Sequence, residues 1–305
     1  GKVTSDGTDG GTFVRALQNG WNPADPAQSG LQVTAGDSAV SAAAKQAVWI
    51  MRSRGGRGTD LPVPDLWIPH ILYTHLVLQD YIDQRLPAKF VVSPHDRYRL
   101  QWQDWKAFQL NQFLPFQEGG TDDANKRWPY SSSYQTVPSA FSPDVRKGAN
   151  NTIGQGGQHN QYLTAGVRPD SLGRRKLTDV RFPSQKVQTY DSQARGCNNR
   201  VPTFYNFEGA SQFLLMFDQS VNVRRTKDAL PGFIPNTFTN PAAYFWQQIN
   251  YVPRAWEAPL FGPNNQPGYY QWTTGGLKGI DFVSGTSSSW TTPNQAQQYE
   301  VRGPF

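Results

Sequence analysis

Phe213-Leu214-Leu215-Met216-Phe217-Asp218-Gln219-Ser220-Val221-Asn222-Val223-Arg224 is the stretch that decides the fold. Five apolar residues are followed by a polar pair and then by alternating β-branched and polar positions. This pattern predicts a β-hairpin, with strands over 213–217 and 220–224 and Asp218-Gln219 at the turn. No apolar run in the chain is longer than these five residues. A helix that crosses a membrane needs about 18 or more apolar residues, so no span is expected.

Moving outward, short strands are expected at 130–137, 177–182, 186–190, 269–273 and 280–283. Residues 144–170 are rich in Gly, Asn and Gln with no periodicity, and read as a loop insertion. The N-terminal third reads differently. Asp37 or Ser38 can cap a helix carrying Val40, Ala44, Val48 and Met51, ended by Gly55 and Gly56. A second helix is expected over 67–82, with Asp65 as its cap and Ile68, Leu72, His75 and Leu76 on one face. A strand at 89–92 should follow. Ser93-Pro94-His95-Asp96 then reads as a helix start, with Ser93 as N-cap, leading into Tyr98, Trp102 and Trp105. The fold class is α+β: N-terminal helices packed on an antiparallel sheet, with long irregular loops. We divide the chain into an extended arm (1–36), one α+β domain (37–283) and a C-terminal tail (284–305). There is no internal repeat.

Composition supports loop-rich, rigid β structure. Of 305 residues, 37% are hydrophobic and only 17% charged, whereas 13% are aromatic, with ten Trp, 28 Gly and 23 Pro. The aromatic supply excludes a disordered chain. A net charge of +6 is mildly basic. The densest clusters, Arg52, Arg54, Arg57 and Arg174, Arg175, Lys176, fall short of a basic arm. We read them as solvated surface charge and expect no specific nucleic-acid partner. The single cysteine, Cys197, rules out an intrachain disulfide and a thiolate zinc site, and reads as an inert thiol.

Catalytic patterns are missing. His70 and His75 are five apart, whereas metal ligands on a helix want a spacing of three or four; His75 reads as a buried core residue. His95 reads as a cap or solvated residue, and His159 lies in the loop insertion. No Gly-x-Ser-x-Gly elbow occurs. The glycine-rich stretches at 7–11 and 154–157 lack the strand-to-helix setting of a phosphate cradle. Asp122, Asp123 and Asn125 form the best acidic cluster, without the full spacing of a known calcium loop. A structural calcium ion is the one cofactor for which the sequence leaves room. The informative side chains are instead Trp102, Trp105, Trp128, Trp246, Trp256, Trp272 and Trp290, set among Pro, Gly, Asn and Gln. They read either as pins holding loops to the core or as a contact surface, and we take the first six as assembly and packing residues.

Five stretches in order carry a family resemblance. They are Phe90-Val91-Val92-Ser93-Pro94-His95-Asp96-Arg97, Arg127-Trp128-Pro129-Tyr130-Ser131-Ser132-Ser133-Tyr134, and Phe182-Pro183-Ser184-Gln185-Lys186-Val187 running on to Tyr190-Asp191. The last two are Leu214 through Val223, and Gly275-Gly276-Leu277-Lys278-Gly279-Ile280-Asp281-Phe282. Together they resemble the large prepilin-like or pseudopilin-like proteins of planctomycete-type bacteria, akin to the type II secretion major pseudopilin. Ser93 stands where that family usually has Cys, and Gln219 where it has a turn Gly. The family's apolar N-terminal helix has no counterpart in the sequence, and the chain opens on Gly1 rather than Met. We expect that an upstream segment lies outside it.

The resemblance implies a non-enzymatic, extracytoplasmic structural subunit, at the cell surface, outside the cell or in the periplasm. Its partners would be further copies of itself and other pilin-like subunits, in a filament or surface layer. Two other classes stay open. A viral major capsid protein of jelly-roll type would suit the short strands, the arm and the positive charge. A carbohydrate-binding module would suit the aromatic residues, although no carboxylate pair for hydrolysis is evident.

Overall fold

The computed structural model describes residues 24–33, 37–65, 67–82, 85–104, 107, 110, 126–142, 153–155, 162–164, 172, 175–195, 197, 202–207, 209–232, 257, 268–273 and 275–283. The chain divides into two compact units, residues 1–133 and 134–305.

The first unit is built on helix α1, Ala39–Gly55. Its ends are as the sequence predicts. The Ser38 Oγ accepts the Ser41 N–H at 3.1 Å, and Gly56 adopts the left-handed conformation (φ 62°) to return its N–H to the Arg52 carbonyl. Ala42, Ala44, Val48 and Met51 are buried. Arg52 departs from its expected role as solvated charge. It is buried, with Nε and a terminal nitrogen on the Leu61 carbonyl at 3.0 and 2.8 Å and the other on the Ser29 carbonyl at 2.6 Å. A guanidinium offers several donors, so backbone carbonyls can satisfy it away from water. Those bonds tie residues 24–33, within the expected arm, to α1, and Leu31 is fully buried there.

The predicted helix over 67–82 does not form as an α-helix. Two 3₁₀ segments stand in its place, Pro69–Ile71 and Thr74–Tyr81. The Leu72 carbonyl accepts the Ser132 N–H at 2.8 Å, and the Leu76 N–H turns instead to the Tyr73 carbonyl at 3.1 Å. A tertiary bond has claimed an acceptor that the α-helical ladder needed. His75 is buried there, edge-on to the Phe90 ring at 6.4 Å.

Two neighbouring expectations fail similarly. Residues 89–92 form a 3₁₀ turn, Lys89–Val91, rather than a strand. Helix α2, Arg97–Trp102, starts three residues later than expected, with Asp96 rather than Ser93 as N-cap. Only the carboxylate at Asp96 reaches the Arg99 N–H, at 3.1 Å.

The second unit holds a four-stranded antiparallel sheet of spatial order β1-β4-β5-β6: β1 Tyr134–Thr136, β4 Val187–Asp191, β5 Ser211–Met216 and β6 Val221–Arg225. Strands β2, Ile153–Gln155, and β3, Tyr162–Thr164, form a separate antiparallel pair. The insertion expected at 144–170 therefore contains strand structure. The predicted hairpin is present, with Phe213 opposite Val223 and Leu215 opposite Val221. The strand predicted at 130–137 shortens to β1, after the 3₁₀ turn Trp128–Tyr130.

Three other predicted strands are not ladders. Residues 177–182 begin with the 3₁₀ turn Leu177–Asp179, closed by Asp179 accepting the Lys176 N–H at 3.0 Å. Residues 269–273 form the 3₁₀ turn Tyr269–Trp272. Residues 280–283 join no sheet strand, although Ile280, Asp281 and Phe282 are buried. Residues 177–182 hold no buried residue, whereas 269–273 and 280–283 are buried outside the sheet ladder, so burial gave them strand-like sequences. Gly232 is needed where they meet. Its φ is 74°, and a Cβ there would come within 2.5 Å of the Tyr269 and Trp272 carbonyl oxygens.

The outcome is a mixed α+β protein with a four-stranded antiparallel sheet and two α-helices among the described residues.

Two predictions follow from this architecture. Gln219 occupies the hairpin turn at φ 72°. A left-handed conformation strains a side chain by about 1 kcal/mol, so Gln219→Gly should stabilise the protein by that amount in urea unfolding. The second concerns pH. Burial holds His75 neutral by pushing its pKa down to about 4, with the Tyr130 backbone only partly offsetting this. Between pH 4 and about 6.5 the unfolded chain binds the proton and the folded chain does not. The contribution is therefore full above pH 6.5 and is lost as pH falls towards 4, by up to about 3 kcal/mol. Chemical denaturation at pH 7 and pH 4.5 should show a smaller acid loss for His75→Leu than for the parent.

Candidate functional site

The five stretches that carry the resemblance fold into two hydrogen-bonded knots, one within each unit. In the first unit, Asp96 and Arg99 form a buried ion pair at 2.7 Å. The Ser133 hydroxyl donates to Asp96 at 2.8 Å and accepts the Ser93 N–H at 3.0 Å. Arg99 Nε donates to the Ser131 hydroxyl at 2.8 Å. The Val91 carbonyl accepts from the Ser133 N–H at 3.1 Å and the Ser132 hydroxyl at 3.0 Å. The run of three serines thus serves as a row of polar partners for the Ser93–Arg99 turn. Trp102 and Trp128 lie over the Arg99 guanidinium, each 5.9 Å from ring centre to charge.

In the second unit the knot centres on Lys186 and Asp281. Lys186 is 0% exposed and Asp281 1%, and they meet at 3.0 Å across 95 positions of sequence. The second contact to the same Asp281 oxygen is the Val187 N–H at 2.8 Å. Thr273 bridges the pair, accepting from Lys186 Nζ and donating to the other Asp281 oxygen. Backbone bonds join the same segments: Phe217 N–H to the Lys186 carbonyl at 3.0 Å, Asp281 N–H to the Gln185 carbonyl at 3.1 Å, and Arg181 N–H to the Leu277 carbonyl at 3.3 Å. Burial pushes the Asp281 carboxyl up, opposed by Lys186 and Thr273.

Beside this pair the inner face of the sheet is covered by aromatic rings. Tyr190, Tyr205 and Tyr270 are fully buried, with centroids 4.9 to 5.6 Å apart, and Phe282 stacks on Tyr270 at 6.1 Å. Two of the hydroxyls have these partners: Tyr205 donates to the Gly268 carbonyl at 3.0 Å, and Tyr270 meets Thr226 at 3.2 Å. A second buried ion pair, Asp191 with Arg195 at 2.6 Å, closes the turn after β4.

The outer face of the same hairpin is apolar and open. Phe213 is 49% exposed, Val223 opposite it 56%, and Val221 64%. Leu215 on this face is half-buried. Strand β6 lies at the end of the strand order. A sheet meant to face water on one side carries polar residues there; β5 is apolar on both faces, as strands covered on both sides are. The sequence run that revealed the hairpin also held this signal, because five consecutive apolar residues cannot all point inward.

Of the tryptophans singled out, Trp102, Trp128 and Trp272 are buried within their own units. Trp105, Trp246, Trp256 and Trp290, the acidic group Asp122, Asp123 and Asn125, and His159 lie outside the described residues. Among the described residues no group of three or more His, Cys, Asp or Glu is placed to hold a metal ion, and no helix is long and apolar enough to cross a membrane. Cys197 is half-buried, and its thiol pKa is raised chiefly by burial, which favours the protonated form. The buried charges of the two knots were missed in the sequence. Their only signal was that Asp96, Lys186 and Asp281 lie inside the motif stretches.

The Lys186–Asp281 pair can be tested directly. Asp281→Ala leaves a buried amine without its acid and should cost about 3–5 kcal/mol. Lys186→Met combined with Asp281→Leu removes both charges and should restore most of that loss. Thermal unfolding of the two variants checks the order.

The chain matches no protein-family model, and no curated protein and no solved structure shows significant similarity to it.

Proposed function

We propose that this chain is a non-enzymatic structural subunit, pseudopilin-like, that assembles with copies of itself in an extracytoplasmic filament or surface layer. The observation that carries the reading is the open apolar face of the β5–β6 hairpin. Phe213, Val221 and Val223 stand exposed on a sheet whose inner face is already filled. Exposed apolar surface next to an end strand favours association with another protein surface. The order of the five motif stretches supports the pseudopilin-like form of the reading. So does their convergence into two buried knots, because residues of a shared fold are expected where buried polar groups need specific partners.

Neither alternative gains a specific observation. Trp102, Trp128 and Trp272 are turned into the protein and offer no platform to a sugar. Among the described residues, β4, β5 and β6 pair in consecutive order and β1 joins β4 across a crossover.

The test is assembly. The parent protein should form extended filaments or sheets in electron micrographs and fast-sedimenting material in the ultracentrifuge. Val221→Lys with Val223→Lys should abolish both and leave the melting temperature within a few degrees, because both side chains are solvent-facing. A parent protein that stays monomeric at high concentration, or a double variant that assembles equally well, would remove the reading.

A further inference from the structure

The contacts around Lys186 and Asp281 are arranged as a condensation would need them, beyond what a stabilising ion pair requires. The Asp281 carboxyl has two distinct oxygens. Oδ2 receives the Val187 N–H at 2.8 Å and Lys186 Nζ at 3.0 Å. Oδ1 receives the Thr273 hydroxyl, and the same hydroxyl accepts from Lys186 Nζ. One oxygen is thus held by a fixed backbone donor, and the other is linked to the amine through a hydroxyl that both accepts and donates. All three side chains are buried. Buried Trp272 immediately precedes Thr273 and buried Phe282 immediately follows Asp281, with fully buried Tyr270 three positions before Thr273 and Tyr190 at the far end of β4 from Lys186.

We propose that Lys186 and Asp281 condense to an intramolecular amide, Lys186 Nζ to Asp281 Cγ, with Thr273 carrying the proton between them. In a dry site the neutral amine and neutral acid compete with the ion pair, and the Asp281 carboxyl is already raised by burial. One proton of the ammonium passes to the carboxylate, leaving a desolvated, nucleophilic amine. Nζ attacks Cγ, and the negative charge that develops on Oδ2 is stabilised by the Val187 N–H. A second proton leaves Nζ through the Thr273 hydroxyl to Oδ1. The Cγ–Oδ1 bond breaks and Oδ1 departs as water. The products are one amide and one water, and no oxidant or co-reactant is required. The resulting link joins the approach to β4 with the segment that covers the sheet, 95 positions away. It does not depend on the assembly reading.

Mass spectrometry of the full chain, denatured, gives the test. The chain should be lighter than its sequence by one water. Trypsin should fail to cut after Lys186 and should release a branched peptide of residues 182–195 joined to residues 279–302. Lys186→Arg, which keeps a cation but cannot condense in this way, should show the full sequence mass. Thr273→Val, which keeps the shape and removes the relay, should leave most molecules unlinked. A parent chain of full mass with ordinary cleavage after Lys186 overturns the proposal. A fully linked Thr273→Val chain overturns the role given to Thr273.

Discussion

Lys186 lies where no water reaches it, and its charge is met by a carboxylate 95 residues further along the chain. That requirement organises the second unit. For Asp281 to reach Lys186, residues 275–283 must lie against the start of β4. Their backbone then bonds Gln185, and they bring Leu277 to Arg181 and Leu230 to Asp281. Ile280 packs on Leu230, with Phe182 and Val283 alongside, and Phe282 stacks on Tyr270. An isolated buried charge is far more costly than any single apolar contact is favourable. Structures in which this segment peels away are therefore disfavoured well beyond the loss of its apolar burial. The first unit uses the same device on a smaller scale, with Asp96 and Arg99 met by Ser131 and Ser133.

How much of this was legible depends on how local the determinants are. The β5–β6 hairpin and helix α1 could be read because strand alternation, Ser38 and Gly56 act within a few residues. The 67–82 segment was misread because its pattern is helical and the cause of its failure, Ser132 bonding the Leu72 carbonyl, lies sixty residues away. Residues 269–273 and 280–283 were misread for a related reason. A short run buried along nearly its whole length can lie across a sheet as well as within one. Burial of Trp102, Trp128 and Trp272 could not be separated from surface display in the sequence without the packing. The candidate site was least legible. Asp281 lies in a motif stretch, but no near neighbour in sequence marks it as buried, because what sets it apart is the distant Lys186.

The motif stretches and the open hairpin face answer different questions. Ser93, Asp96, Ser131, Ser133, Lys186 and Asp281 are all buried, and every contact described for them is internal. Such residues specify a fold, because a buried polar group tolerates few substitutes. They cannot by themselves state what the protein touches. Function has to be sought among groups that reach solvent, which include Phe213, Val221 and Val223 in the second unit and Leu78, Tyr81, Ile82 and Phe90 in the first.

The hairpin connects the two. Its inner residues Leu214 and Met216 complete the core, and its outer residues Phe213 and Leu215 interleave with them in sequence, with Val221 opposite Leu215. Side chains alternate with a period of two, so a slip of one residue would exchange the faces and expose the core set. The inner face is held in register by Tyr190 opposite Leu214 and by the Phe217-to-Lys186 backbone bond. The buried ion pair therefore acts on the outer surface as well. By fixing the segment around Lys186, it fixes which side of β5 faces out. Weakening that pair should disturb the exposed face without any change in the residues that form it.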